Sequence, residues 1–261
     1  MYRYETHLHT CQGSRCGVST GREHARYYHN LGYQGIIITD HFLGGNTAVD
    51  RSKPWKEQMK QFCSGYEDAL DEGIRLGLDV FFGWEQTFEG DDYLIYGLSP
   101  QWLMEHPESA HWNRREQLAE VHRYGGCVVQ AHPFRQCGYL HQILLGLTHV
   151  DAVEVLNAGN LPVCDACAIR YALENHLMMT SGSDNHFSRP EQTFMGIAVD
   201  EPFQSVQDYV RLILDKKPVQ LLGNSRRFDF QPEDDVYLPC FVIDENEQRV
   251  PYHRAWLPGQ Q

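Results

Sequence analysis

The sequence predicts an α/β protein with a mainly parallel sheet, open or closed into a barrel. Three observations predict it. Short apolar runs alternate with amphipathic stretches, the rhythm of strands followed by helices. Several of those stretches stop at glycine, as in Leu31-Gly32-Tyr33, Leu76-Gly77-Leu78 and Tyr124-Gly125-Gly126, a C-terminal helix signal. At 261 residues the chain is long for one simple domain and normal for a single α/β barrel.

The elements follow in order. Apolar runs at 2–7 and 35–39 read as strands, and the amphipathic stretch 20–31 between them as a helix. A helical pattern over 55–76 leads to a strand over 79–84, and another strand over 93–97 follows. A helical pattern over 113–124 precedes the strand 127–130. Strands at 152–156 and 178–181 flank a helix over 163–175, and strands at 196–199 and 219–222 flank one over 205–216. No internal repeat or low-complexity tract is visible. After about residue 225 the rhythm stops: acidic turns, four prolines and one strand-like run over 237–243 remain. Residues 1–224 are therefore read as the barrel. Residues 225–261 are read as a C-terminal extension packed on it, a hairpin or tail and not a separate domain.

Composition narrows the function. Hydrophobic content of 42% and charged content of 22% are ordinary globular values and exclude wholesale disorder. The net charge of −13, from 35 acidic and 22 basic residues, makes nucleic-acid polymers and anionic membranes poor partners. It leaves room for a small phosphorylated substrate, because bound metal reverses the local field. The N-terminus lacks a signal-peptide run, and no apolar stretch approaches the roughly 20 residues that span a bilayer, so a cytoplasmic location is expected. Eight cysteines are scattered along the chain, and Cys164-Asp165-Ala166-Cys167 has no second pair at zinc-finger spacing. Free thiols are expected, with no structural zinc. Nothing in the sequence bears on oligomeric state.

The polar residues at the ends of the apolar runs carry the chemistry. The first strand runs into "THLHT", and residues two apart on a strand share a face, so His7 and His9 project together. "GIIITDH" ends in Asp40 and His41, "DVFFGWE" in Glu85, "CVVQAHP" in His132, and "MMTSGSDNH" in Asp184 and His186. Singly, each has a plain structural reading: a cap for Asp40, a solvated loop for Glu85, a turn for His132. Together they lie at the carboxyl ends of successive strands, which converge on one rim in a parallel α/β fold. A shared metal site is the reading. Imidazoles and carboxylates without organised thiolates suit zinc, manganese or iron.

The ordered set H-x-H, T-D-H, G-x-E, A-H-P and S-D-x-H resembles the PHP (polymerase and histidinol phosphatase) superfamily. The likeness runs from His7 to His186 and continues in helix–strand rhythm to Leu222. The resemblance implies a distorted (β/α)7 barrel holding two or three divalent metal ions (Zn, Mn or Fe) at its C-terminal rim, with phosphoester hydrolysis as the commonest chemistry. It implies that His7 and His9 bind one ion with Glu85 and Asp184. Glu85 then bridges to a second ion, which His132 also binds, and His41 and His186 serve a third. Glu85, Asp184 and His186 are the residues expected to carry catalysis, with His186 assisting the leaving group if the third ion is absent.

Two departures from the pattern matter. The family usually has a histidine after the bridging glutamate, near "DDYLIYGL"; here Asp92 is its expected replacement, with Ser99 as the alternative. The family also often completes the third ion a few residues after H-x-H, where this chain offers Ser14, Arg15 and Cys16. Cys16 is a possible thiolate ligand there, and Arg15 a possible phosphate anchor.

Further residues are expected around the rim. Arg135 and Arg189 follow His132 and His186 closely, and guanidinium forks match phosphate oxygens. Asp40 is expected to orient an imidazole, and Glu154 and Asn157 to back the ligands or touch substrate. The loop 42–56, with Arg51, Lys53 and Trp55, is read as a lid or specificity loop. Histidines on predicted helices and loops, His24 and His149 among them, are read as solvated or capping. The leading function is a metal-dependent phosphoesterase. The competing ones are a metal-dependent amidohydrolase, disfavoured by the lack of a rim lysine, and a barrel that keeps metal without turnover.

Overall fold

The computed structural model describes residues 1–188, 194–223 and 236–252. Its first half runs β1 (Tyr2–Leu8), α1 (Gly21–Asn30), β2 (Gly35–Ile38), α2 (Trp55–Leu76), β3 (Asp79–Thr87), β4 (Asp92–Tyr96), α3 (Pro100–Glu105), a 3₁₀ turn (Pro107–His111) and α4 (Arg114–Arg123). Then come β5 (Cys127–Gln130), β6 (Ile143–Leu145), β7 (Ala152–Asn157), α5 (Pro162–Glu174), β8 (Met178–Gly182), β9 (Gly196–Val199), α6 (Val206–Leu214), β10 (Gln220–Leu222), β11 (Cys240–Ile243) and β12 (Arg249–Pro251). None of the described helices is long and apolar enough to cross a membrane.

Local chemistry sets the helix ends. α1 starts at a capping box: the Glu23 N–H donates to the Thr20 hydroxyl at 3.2 Å, and the Thr20 N–H to the Glu23 carboxylate at 2.7 Å. α2 stops where Gly77 turns left-handed at φ 72°, a conformation glycine adopts without strain.

Nine strands form one curled sheet in the order β10-β9-β1-β2-β3-β4-β5-β7-β8. It closes on itself where the segment after β8 returns to β1: the His9 N–H donates to the Asn185 carbonyl at 2.9 Å, beside a parallel bridge between Leu8 and Asn185. The result is a distorted barrel. The expected mainly parallel pairing is corrected. β1–β2, β2–β3, β5–β7 and β7–β8 pair parallel, but β3–β4, β4–β5, β1–β9 and β9–β10 pair antiparallel. For the β3–β4 pair the cause is loop length. Only residues 88–91 join β3 to β4, and a parallel crossover needs a dozen or more.

Helices pack outside the sheet and bury its apolar residues against them. Tyr4, Tyr96, Phe203 and Tyr209 join one cluster beneath α6, with Tyr4 and Phe203 stacked at 4.3 Å. Each fully buried side chain of this kind contributes about 1.5–3 kcal/mol. Three elements were not expected: the short helix α3, β6 and β12. In a second sheet β6 pairs parallel with β11, which pairs antiparallel with β12. The buried Arg114 guanidinium ties this region down. It binds both oxygens of Asp91 at 2.7 Å and Glu247, between β11 and β12, at 2.9 Å. Residues 225–235 and 253–261 of the expected extension lie outside the described residues.

Two irregularities aim side chains at the rim. The pairing register slips in β1 between Glu5 and Leu8, and in β7 between Glu154 and Leu156. Bulges of this kind re-aim side chains beside functional sites. Here they flank His7 and Glu154, which touch each other.

Candidate metal centre

The C-terminal ends of the parallel strands open on one rim. His7 stands near the end of β1, Glu85 within β3 and Glu154 within β7. His9, His41, His132, Asp184 and His186 lie just beyond β1, β2, β5 and β8. β4 runs the other way, so its first residue, Asp92, reaches this rim and its far end does not. Ser99 therefore does not reach the site. Its hydroxyl instead accepts the Trp102 N–H at 3.1 Å and caps α3, which removes Ser99 as the replacement ligand.

Glu85 sits at the middle of the cluster, fully buried. Its Oε1 lies 3.1 Å from His132 Nε2 and 3.5 Å from His7 Nε2; its Oε2 lies 2.5 Å from His41 Nδ1 and 3.4 Å from His9 Nε2. Asp184 Oδ1 is 3.0 Å from His9 Nε2 and 3.5 Å from His7 Nε2. Asp92 Oδ2 lies 3.9 Å from His132 Nε2. Donor atoms fall into three groups, each within 4.8 Å: His7–His9–Asp184, His7–Glu85–His132 and His9–His41–His186. His9 stacks on His41 and His186 with centroids 4.3 and 4.5 Å apart.

Contacts behind the rings decide which nitrogens face inward. His7 Nδ1 lies 3.0 Å from Glu154 Oε1, so it donates there and Nε2 is the nitrogen turned toward the cluster. Glu154 is held by the Asn157 amide at 2.8 Å, and it accepts the His132 N–H at 3.0 Å. His9 Nδ1 lies 3.2 Å from the Ser14 hydroxyl, which donates to Asp40 Oδ1 at 2.7 Å. Asp40 thus reaches an imidazole through Ser14, and that ring is His9. Its own carboxylate is pinned by the Thr10 N–H and hydroxyl, both at 2.7 Å.

This arrangement leaves His7 Nε2 and His9 Nε2 3.1 Å apart, both aimed at one point. Glu85 Oε2, Asp184 Oδ1 and His41 Nδ1 are buried without a hydrogen-bond partner, so the 2.5 Å approach of Glu85 to His41 is not a well-aligned bond. Buried acceptors without donors are costly, and divalent cations would satisfy all of them. The residues present therefore fit metal ions. The backbone is strained at the same place. Asp184 at φ 53° and His132 at φ 28° are left-handed without being glycine, which costs of order 1–3 kcal/mol each.

Without a cation, the carboxylates and imidazoles of the cluster balance one another's charge. Burial alone would raise Glu85, but the His41 and His7 imidazoles hold it well below the usual carboxylate range. Burial likewise opposes ionisation of Asp184, and His7 and Arg135 overcome it. Burial disfavours charge on His7 and His41, yet Glu154 for the first and Glu85 for the second hold their protons well above the ordinary value. Burial, then His41 and His186, push His9 well below it. Burial raises Asp92 to about 6, with Glu85 adding to the effect. Burial works against Cys16 ionisation too, but hydrogen bonds to His186 and His41 bring the thiol down to about 6.

A cavity of about 490 Å³ opens over the cluster, lined by Cys16, His41, Asp92, Arg135, Tyr139 and His186 among others. Arg135 Nη1 bonds Asp184 Oδ2 at 2.8 Å. Arg15 is exposed and does not line the cavity; its backbone N–H is tied to the Asn46 carbonyl at 2.9 Å. Arg189 lies outside the described residues. From the loop 42–56, Gly45 and Asn46 reach the cavity while Arg51 and Lys53 are exposed away from it. Trp55 is committed to packing, its indole N–H donating to the Leu103 carbonyl at 2.8 Å.

Two contributors had no clear signal in the sequence. Ser14 lies in a loop, and only folding sets it between His9 and Asp40. His24 is fully buried, with Nε2 on the His9 carbonyl at 2.9 Å and Nδ1 on the Ser188 hydroxyl at 2.9 Å. That overturns its solvated reading; its place on the inner face of α1 was the available clue. His149 is buried as well.

Solved structures share this architecture. A two-domain protein from Bacteroides vulgatus, containing a predicted PHP-like metal-dependent phosphoesterase, superposes with a TM-score of 0.58 over 84% of this chain at 17% identity. This is a PHP-type fold. The chain spans 63% of that protein. PsfC from Pseudomonas syringae superposes at 0.56, with 16% identity, covering 88% of this chain and 95% of its own. A protein from Bifidobacterium adolescentis with the provisional name of metal-dependent phosphoesterase gives 0.53 at 17% identity, covering 82% and 96%. No protein-family model matches the sequence, and no curated protein matches it significantly. The likeness to PHP-type barrels is therefore one of fold.

Proposed function

We propose that this protein is a metal-dependent phosphoester hydrolase acting on a small phosphorylated metabolite or nucleotide. One observation carries the reading: the two oxygens of the buried Glu85 face different imidazole pairs, His132 and His7 on one side, His41 and His9 on the other. Such a carboxylate is built to lie between two cations. His7, His9 and Asp184 would hold one ion, Glu85, His132 and Asp92 another, with zinc, manganese or iron suited to the donor set. Cations there supply Lewis acidity and make hydroxide available from water near neutral pH.

The chain's own residues do the rest. Glu154 and Ser14 fix the ring nitrogens of His7 and His9. Arg135 lines the cavity beside Asp184 and offers its remaining N–H groups to a phosphate oxygen. His186, at the mouth, donates Nδ1–H to the Asp184 carbonyl at 2.7 Å and has Nε2 for proton transfer to a leaving oxygen. The names borne by two of the structural neighbours point to the same chemistry. No lysine lines the described cavity, which disfavours the amidohydrolase reading.

The test is metal content per chain together with turnover of a phosphoester panel and a cyclic-amide panel in added Mn²⁺ or Zn²⁺. Two or more bound ions with phosphoester turnover lost in Glu85→Ala support the proposal. Amide turnover alone, or a metal-loaded protein inert to every phosphoester, overturns it.

A further inference from the structure

We infer that Glu5 and Tyr28 are positioning residues: together they set the spacing between His7 and His9 on one side of the barrel seam and Asp184 on the other. The inference rests on the metal reading above. It gives a role to a buried carboxylate that touches no proposed ion.

The barrel closes between β1 and the end of β8, and no backbone ladder joins them there. β1 pairs with β2 and β9; toward β8, among the described residues, it has the single bridge from Leu8 to Asn185. The ion that His7, His9 and Asp184 would hold draws ligands from both sides of this seam. His9 Nε2 and His7 Nε2 stand 3.0 and 3.5 Å from Asp184 Oδ1 across it. Whatever joins the seam therefore sets those distances.

Side chains do the joining. The pairing of β1 slips between Glu5 and Leu8, and in that interval the His7 N–H turns to the Glu5 carboxylate. Glu5 is fully buried, and its Oε1 accepts the His7 N–H at 3.0 Å and the Ser183 N–H at 2.9 Å, one from each side. Its Oε2 accepts the hydroxyl of Tyr28, a buried residue of α1, at 3.1 Å. The Tyr28 oxygen also accepts the Asn185 amide at 3.1 Å and lies 3.0 Å from Ser183 Oγ. Ser183 Oγ donates in turn to the His7 carbonyl at 3.3 Å. Asp184 is thus bracketed, with Ser183 held by Glu5 and Asn185 held by Tyr28. Its left-handed backbone persists only where the surroundings over-determine it, and these bonds do so. Three buried donors converge on Glu5, and an aliphatic side chain there would strand all of them.

Calorimetric titration of the metal-free full chain with Mn²⁺ tests this on three variants. Glu5→Ala should weaken binding by about 10–100-fold, the range for residues that orient a ligand. Glu5→Gln should restore the affinity. Its amide oxygen still accepts both N–H groups, and its amino group reaches the Tyr28 oxygen, whose proton turns to Ser183. Tyr28→Phe removes one hydroxyl and should weaken binding by less than Glu5→Ala, so the test survives an alanine variant that does not fold. Denaturation of the metal-free variants reads the stability cost separately. Unchanged affinity in a folded Glu5→Ala or Tyr28→Phe protein overturns the inference, as does weaker binding by Glu5→Gln than by Tyr28→Phe. The expected affinities without phosphoester turnover in the unsubstituted protein overturn the hydrolase reading and leave this one standing. An unsubstituted protein that takes up no Mn²⁺ or Zn²⁺ overturns both.

Discussion

Asp92 Oδ2 lies 3.9 Å from His132 Nε2, although Asp92 begins its strand and His132 follows the end of the neighbouring one. The reversed direction of β4 makes this meeting possible. Asp92 is expected to hold an ion with His132. Asp92→Ala should weaken metal binding by more than the roughly 10–100-fold typical of residues that only support a ligand. Asp92→His, which offers a nitrogen donor, should recover part of it. Isothermal titration with Mn²⁺ and Zn²⁺ checks both, and unchanged affinity in Asp92→Ala would remove Asp92 from the site.

Glu85 is surrounded by four imidazoles and buried completely. Glu85→Gln keeps the volume and removes the charge. At most one ion per chain should remain, and turnover should fall to background. Elemental analysis beside a phosphoester assay reads both, and two retained ions would contradict a bridging role.

Glu154 touches no proposed ion, yet it holds the His7 ring, the His132 backbone and Asn157. Glu154→Gln should cost about 10–100-fold in metal affinity, because the His7 proton loses its anionic acceptor. Glu154→Ala should also destabilise the fold, by about 1–3 kcal/mol for each buried donor left unsatisfied. Denaturation of the metal-free variants separates the two effects.

Arg114 and Asp91 form a buried two-point ion pair, with Asp91 next in the chain to the proposed ligand Asp92. Asp91→Ala strands the guanidinium and should destabilise by about 3–5 kcal/mol. Metal content should not change, since neither residue is among the proposed ligands. Reduced metal content in a folded Asp91→Ala protein would show the two regions to be coupled.

Burial brings His24 down to about 4, so the folded protein keeps this ring neutral where the unfolded chain protonates it. The unfolded state then binds the extra proton between about pH 6.5 and 4, and stability falls as pH drops through that window. The loss from this group is about 3 kcal/mol at most. His24→Gln should flatten the acid limb of a stability-against-pH curve. A ring that titrates near 6.5 by NMR in the folded protein would refute the prediction.

The sequence by itself determined the α/β rhythm, the helix ends and most of the residues that meet in the candidate site. These are local facts: apolar periodicity, glycine stops and polar residues at the ends of apolar runs. His7, His9, Glu85, His132 and Asp184 stand out because strands must end at a rim and each carries a donor there. Only the tertiary structure decided which of Asp92 and Ser99 faces that rim, because strand direction settles it, although the four-residue link from β3 to β4 was a readable clue. It also decided that Ser14 supports His9, that His24 is buried, and that Arg15 points away while Cys16 faces His41 and His186. Loop residues have no periodicity to place them. Their partners lie up to about 170 positions away in the chain, as His186 does from Cys16, so closure of the barrel alone brings them together.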